Sequence, residues 1–410
     1  MTETVIKAIL QKVLKDVVPT GTEKKKLESI INFTKNKITK ALLEKKVSAE
    51  VIVGGSVAKG TWLHENHDVD FFVKFNLKYK DGEIGKLLGN VLKSAFGKLE
   101  VVHGTRDYYH IYLKGFKLEI VPVLAVKDPK DAKNSMDASP FHIDYIKKKI
   151  FANPQLADEI RALKTFAYAQ NAYGAETQVA GFSGYVLELL ICHYGGFNKL
   201  MQEWDKKKPK IYIDMERRYK DSSEIDNTLS ESKTVSPIIL IDPVLKERNA
   251  CAALDDKTFA KMLFALRMFK RKPSIEYFKI KPPTIKKDSK KRGTILIEYK
   301  LTSDNDVYLS KIKSGLEDVV RKLNREKILV YSYGVTEKNA FVEVETLKLS
   351  SYRKHMGPNI WIGPEYFDKF VKKWPNTYVY DTAIVVDVKR SFSDIKQFVS
   401  KILKERLGRV

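Results

Sequence analysis

The rhythm of apolar and polar positions changes three times along the chain. From Met1 to Thr20 the apolar residues Val5, Ile6, Ile9, Leu10, Val13 and Leu14 recur at three- and four-residue intervals. That spacing gathers them on one side of a helix, and helical texture continues to about residue 45. Short apolar runs then take over. Ala49–Val53, Asp68–Phe75, Leu99–His103, Tyr108–Leu113 and Phe116–Val126 read as strands, with one helix expected at Glu83–Phe96. Residues 1–150 are therefore expected to form a strand-rich α/β unit.

Helical spacing returns over Pro154–Ala172, Phe182–Tyr194 and Asp255–Lys270, the last with Phe259, Leu263, Leu266 and Phe269 in step. This predicts a mostly helical segment over residues 151–275. A stretch containing Pro282-Pro283 and then Lys286, Lys287, Lys290, Lys291 and Arg292 leads into a third segment, residues 276–410. There the expected order is strand (Thr294–Leu301), helix (Leu309–Glu326), strand (Leu329–Val335), strand (Ala340–Thr346), helix (Pro364–Trp374), strand (Tyr378–Val388) and helix (Ser393–Glu405). The βαββαβ order is ferredoxin-like or RRM-like, although no good RNP1 octamer is present. The expected class is α+β, in several domains.

Composition adds one strong constraint. The 410 residues carry 74 Lys and Arg against 51 Asp and Glu, a formal charge of +23, and an excess of this size points to a polyanionic partner such as RNA or DNA. Cys192 and Cys251 have no CxxC spacing, so neither a disulfide framework nor a zinc site is expected. The N-terminus has no apolar signal core, and no stretch approaches the ~18 unbroken apolar residues of a membrane span. The expectation is a soluble, cytoplasmic protein.

The candidate chemistry sits between residues 53 and 123. Gly55 and Gly60 have the glycine spacing of a phosphate loop, but Thr61-Trp62 follows where Lys-Ser or Lys-Thr would be required. What remains is a strand, a Gly54-Gly55 turn and Ser56 at a helix start, where amides, a hydroxyl and the nearby Lys59 can hold an anion. Twelve residues after Ser56, Asp68 and Asp70 sit two apart on a strand, so both point to one face, roughly 6.6 Å apart along the axis. Paired like charges call for a cation, and Mg²⁺ prefers such oxygen ligands. Glu119, an acid within the apolar run Phe116–Val123, is a candidate third ligand. A salt bridge to Lys117 or another cation would also satisfy it.

Gly-Ser followed by a paired acid and a third acid one hairpin later resembles the DNA polymerase β-like nucleotidyltransferase superfamily. The resemblance extends to Gly55-Ser56-Val57-Ala58-Lys59-Gly60-Thr61-Trp62-Leu63, Ser139-Pro140-Phe141-His142, Tyr173-Gly174-Ala175-Glu176, Gly181-Phe182-Ser183-Gly184-Tyr185 and Asp242-Pro243-Val244-Leu245-Lys246-Glu247-Arg248-Asn249. In that order these blocks are similar to the archaeal, class I tRNA CCA-adding enzymes. The likeness is strong over about residues 50–275 and looser beyond.

The resemblance implies a nucleotidyltransferase head (1–150), a helical nucleotide-selecting middle (151–275) and an α/β tRNA-binding part (276–410). It implies addition of C, C and A to the 3′ end of tRNA from CTP and ATP, without a nucleic-acid template. Asp68, Asp70 and Glu119 would be the metal-binding catalytic acids, with two Mg²⁺ ions and Mn²⁺ as the other candidate. Gly55, Ser56 and Lys59 match the triphosphate cradle. His142, Lys164 and Tyr173 match positions touching the triphosphate or sugar, and Arg248 matches the base-reading arginine. The partners implied are the tRNA acceptor stem and T arm, with a homodimer as one open state.

The chain also departs from the pattern. Glu119 stands where relatives typically have Asp, and Ala180 where they often have Arg; Lys59 replaces a frequent Arg. The sequence ends soon after its last helix, earlier than in many relatives, which raises the expectation of a weaker hold on the tRNA elbow. Two other readings share the same residues: a poly(A) polymerase or oligoadenylate-synthetase-like enzyme, and an inactive RNA-binding relative.

Overall fold

The architecture was determined from a computed structural model, which describes residues 2–65, 68–177, 179–206, 210–280, 285–303, 306–336 and 338–408. Pro282 and Pro283 lie outside the described residues, as do the side chains of Lys286 and Lys287. The chain divides into two compact units, Met1–Lys281 and Pro282–Val410.

The first unit opens with α1 (Thr2–Val17) and α2 (Gly21–Glu44). The break between them is fixed by Thr20, whose hydroxyl accepts from the Glu23 amide while the Glu23 carboxylate accepts from the Thr20 amide. Then follow β1 (Ala49–Val53), α3 (Gly55–Lys59), β2 (Asp68–Phe75), α4 (Asp81–Phe96), β3 (Glu100–Val102), β4 (Tyr108–Leu113) and β5 (Phe116–Leu124). The strands form one sheet in the order β1-β2-β5-β4-β3, in which only β2 and β5 run parallel.

Alternation along β2 sends Val69, Phe71, Val73 and Phe75 into a core with Ile38 and Leu42 of α2 and Leu88 and Leu92 of α4. Asp68 and Asp70 thereby face away from it. Between β4 and β5, Lys114 and Gly115 have φ of +50° and +81°. Positive φ at both positions is the signature of a tight hairpin turn, and it sets the register Leu113 to Phe116.

Next come α5 (Ser139–Ala152), α6 (Leu156–Ala169), α7 (Gly184–Tyr194), α8 (Phe197–Lys206), β6 (Ile211–Ile213), α9 (Ser222–Thr228), α10 (Glu231–Thr234), β7 (Ile238–Leu240) and α11 (Asp256–Arg271). Their core is built around Phe166, Phe197, Trp204 and Phe269, all of them buried. Ile6, Leu10 and Val13 of α1 also belong to this helical core. The first helix, grouped with the strands by its place in the sequence, packs elsewhere because its apolar side is matched by α6.

The second unit contains α12 (Ile285–Arg292), β8 (Ile295–Lys300), α13 (Asp306–Arg325), β9 (Val330–Val335), β10 (Asn339–Val344), β11 (Tyr352–Asn359), α14 (Pro364–Lys373), β12 (Tyr378–Tyr380), β13 (Ala383–Lys389) and α15 (Ile395–Gly408). The single ferredoxin-like sheet expected from the βαββαβ order is not what forms. One antiparallel sheet, β8-β10-β9, packs with α13 and α15 through Leu316, Val319, Leu323, Val342 and Leu403. A second, β11-β13-β12, uses an unanticipated strand, Tyr352–Asn359. The expected strand Tyr378–Val388 is two strands, because Asp381 turns the chain at φ +56°. His355 of β11 stacks on Phe370 of α14. Among the described residues, no helix is long and apolar enough to cross a membrane.

Candidate active site

The turn after β1 is shaped by its closeness to β2. The Gly54 amide donates to the Asp70 carbonyl at 2.7 Å. A Cβ on Gly54 would lie 2.7 Å from the Phe72 ring, and one on Gly55 would lie 1.5 Å from Asp70 Oδ2. Gly55 also has φ +58°, a conformation disfavoured for other residues. Both glycines are thus required by contact, and α3 starts directly against the Asp70 carboxylate with Ser56 in its first turn.

The sheet register brings the acids together. Asp68 is the Cα partner of Lys117, and Asp70 that of Glu119, across the parallel β2–β5 pair. On the other side of β5, Glu119 is the Cα partner of His110, whose Nε2 lies 3.1 Å from Glu119 Oε2. The sequence left open a metal ion or a salt bridge to Lys117 or another cation beside Glu119; within hydrogen-bond distance stands His110. Burial and the neighbouring Glu119 charge push the Asp70 carboxyl up to about 6, with Asp68 adding to the rise against Lys59 and Lys117. Among the described residues, no three His, Cys, Asp or Glu side chains are grouped so that they could hold a metal ion.

Lys59 and Lys164 converge on a residue the sequence reading passed over. Glu188 of α7 is fully buried, with Oε2 2.5 Å from Lys59 Nζ and Oε1 2.8 Å from Lys164 Nζ. Thr61 Oγ1 donates to Glu188 Oε1 at 2.6 Å and accepts from Lys164 at 3.1 Å. Burial alone would raise the Glu188 carboxyl; the two ammonium groups overcome this and hold it down at about 2. Lys164 is 2% exposed, so it acts from beneath the site. Arg161 completes the support, donating to the Gly60 and Trp62 carbonyls at 2.5 and 3.0 Å. The loop after α3 is therefore clamped onto α6 and α7. The available clue to Glu188 was a lone acid inside the apolar helix Tyr185–Ile191.

A second buried acid, Asp242, organises the remaining candidates. Arg248 Nη1 donates to its Oδ2 at 2.5 Å, and Tyr185 Oη donates to its Oδ1 at 3.2 Å. His142 Nε2 lies 3.0 Å from Oδ2, close but aligned poorly for a hydrogen bond. The His142 and Tyr185 rings lie 4.4 Å apart, and Lys59 sits 5.9 Å from the Tyr185 ring centre. A continuous run of contacts thus joins the Glu188 cluster to Arg248, whose side chain is 38% exposed. Asp242 was detectable as the acid ending the apolar run Ile238–Ile241.

Tyr173 stacks on Tyr168 with ring centres 3.9 Å apart. Burial raises its hydroxyl well above the usual range, and the Asp70 charge contributes. A Cβ on Gly184 would fall 2.6 Å from Tyr173 Oη, so the Gly181–Gly184 turn is fitted to that ring.

This arrangement can bind a charged, phosphorylated ligand beside a row of carboxylates. Mg²⁺ is commonly bound by one or two carboxylates together with substrate phosphates rather than by a closed protein cage. The pairing of Asp70 with Glu119, with Asp68 on the same strand face as Asp70, fits that open mode, in which substrate phosphates complete what the side chains alone do not enclose; like charge already raises the proton affinity of Asp70.

Residues 35–142 match a nucleotidyltransferase domain family, residues 158–279 the second domain of tRNA nucleotidyltransferase, and residues 292–409 the C-terminal domain of the CCA-adding enzyme. The chain is 35% identical to the CCA-adding enzyme of Nanoarchaeum equitans over 86% of its own length and 88% of that protein's. It is 29% identical to that of Saccharolobus solfataricus, over 93% and 88%, and 30% identical to that of Pyrococcus abyssi, over 89% and 83%. Among solved structures, a cytoplasmic RNA terminal U-transferase superposes with a TM-score of 0.53 at 13% identity, covering 68% of this chain and all of that one, a likeness of fold.

Proposed function

The chain belongs to the CCA-adding enzyme family of nucleotidyltransferases, and on that premise we propose that it adds C, C and A to the 3′ end of tRNA from CTP and ATP in the cytoplasm. The reaction is in-line attack of the tRNA 3′-hydroxyl on the nucleotide α-phosphorus, with pyrophosphate leaving. Asp68, Asp70 and Glu119 are the residues to hold two divalent ions, Mg²⁺ or Mn²⁺. Bound there, such ions lower the pKa of the attacking hydroxyl and neutralise triphosphate charge.

The chain's own groups supply the rest. The Gly55 backbone and Ser56 cradle the triphosphate beside Asp70, and Lys59 adds charge from its seat on Glu188. Lys164 works indirectly, fixing Thr61 and Glu188. His142 and Tyr173 contact triphosphate or sugar. Arg248, braced by Asp242 and partly exposed, reads the base edge with its guanidinium fork. Residues 1–150 serve as catalytic head and 151–275 as nucleotide-selecting middle. Residues 276–410 grip the acceptor stem and T arm through phosphates, consistent with the +23 charge.

The observation that carries this reading is the in-register pairing of Asp70 with Glu119 directly beside Gly55. The test is incubation of tRNA ending at its discriminator base with CTP and ATP, separately and together. Growth by two residues with CTP alone and by three with both is expected. A longer ladder made without CTP would replace this reading with a poly(A)-type activity.

A further inference from the structure

Glu119 has a partner that the chemistry above does not use. His110, Glu119 and Asp70 occupy matched positions on three adjacent strands, β4, β5 and β2, and face the same side of the sheet. His110 Nε2 lies 3.1 Å from Glu119 Oε2, and the histidine is only 9% exposed. Behind it, Nδ1 faces Glu100 Oε2 at 3.6 Å, and that carboxylate accepts from Tyr112 Oη at 2.9 Å. Polar contacts thus run from Tyr112 through Glu100 and His110 to Glu119.

We propose that His110 is a positioning residue for the third acid, holding the Glu119 carboxylate beside Asp70 so that it meets a divalent cation in one orientation. The physical need lies in the side chain. Glutamate has one more rotatable bond than aspartate, and an acid at the end of that arm samples several rotamers. A donor on the neighbouring strand selects one of them, as outer partners of metal-binding carboxylates do. The hairpin turn at Lys114-Gly115 sets this pairing, since Leu113 opposite Phe116 places His110 opposite Glu119. The proposal rests on the assignment of the acids made under the proposed function.

Direct cation binding tests it. Mn²⁺ binding to the full chain is measured by electron paramagnetic resonance with CTP present and tRNA absent, so that nothing turns over. His110→Ala should weaken Mn²⁺ binding about tenfold, with the thermal transition still cooperative. His110→Gln keeps a donor at the ε position and should restore most of the loss. In a Glu119→Asp background the shorter carboxylate is out of reach of residue 110, and adding His110→Ala should change Mn²⁺ binding little. Should His110→Ala fail to fold, His110→Phe, which fills the space without a donor, carries the comparison. No loss in the wild-type background, or an equal loss in both backgrounds, overturns the proposal. Asp70→Ala separates the two failures. If it keeps full Mn²⁺ binding, the acid assignment falls; if it loses binding while His110→Ala does not, only the positioning role falls.

Discussion

Gly55 and Asp70 are in a contact that leaves no room for a side chain: a Cβ at position 55 would stand 1.5 Å from Asp70 Oδ2. Gly55→Ala must therefore displace either the turn or the carboxylate, and it adds the strain of φ +58°. Because a displacement of about 1 Å at a reacting centre can cost ~100-fold in rate, incorporation of CMP and AMP should fall by about that factor. tRNA retention on a filter should stay near wild type. Incorporation at the wild-type rate would detach Gly55 from the site.

Asp70 is held under electrostatic pressure. Burial and Glu119 raise its carboxyl to about 6, so at pH 7.5 the ionised form disfavours the folded, cation-free protein. Asp70→Asn should abolish incorporation and at the same time stabilise the cation-free protein at pH 7.5, by up to about 3 kcal/mol. Urea denaturation in the presence of a chelator measures the gain. A loss of stability would mean that the carboxylate is already compensated within the protein.

Glu188 binds two lysines and a threonine from two separate segments, Lys59 and Thr61 at and just beyond the end of α3 and Lys164 in α6. Removing it leaves Lys59 and Lys164 without their common counter-charge in a buried place. Glu188→Ala should destabilise by about 3–5 kcal/mol, read from the urea midpoint. Combining Lys164→Met with Glu188→Leu should recover part of this loss, because fewer unpaired charges remain.

Asp242 links stability to pH. Burial would raise its carboxyl, but His142, Arg248 and the Val244 amide bring it down to about 2, below its ordinary 3.8. A lowered carboxyl contributes stability above about pH 4 and loses it as the pH falls through about 2. Stability should therefore decline between pH 4 and 2, and Asp242→Asn should flatten that decline by about 2 kcal/mol. An unchanged pH profile would show that Asp242 carries no such linkage.

The same bond gives Arg248 a defined direction. Arg248→Ala should blur the choice between CTP and ATP, measured by competition, more than it weakens tRNA binding. An undiminished choice would exclude Arg248 from base reading.

Much of this was legible in the chain itself. Alternation along Asp68–Phe75 put both aspartates on one face, because a strand repeats every two residues. Gly54-Gly55 marked a turn that side chains could not occupy. Three helices of the middle segment, α6, α7 and α11, followed from their spacing, whereas α8, α9, α10 and the strand pair β6–β7 did not, and the charge of +23 pointed to a polyanion.

The tertiary structure decided the partners. Local pattern says which face a residue takes, but not which distant residue meets it there. Glu188 reaches Lys59 across 129 positions and Lys164 across 24, and Asp242 reaches His142 across 100 positions, distances over which periodicity carries no information. The same limit explains the C-terminal unit, where the strand order was nearly right and the sheets were not: pairing between strands depends on which edges come together, and only the folded chain settles that.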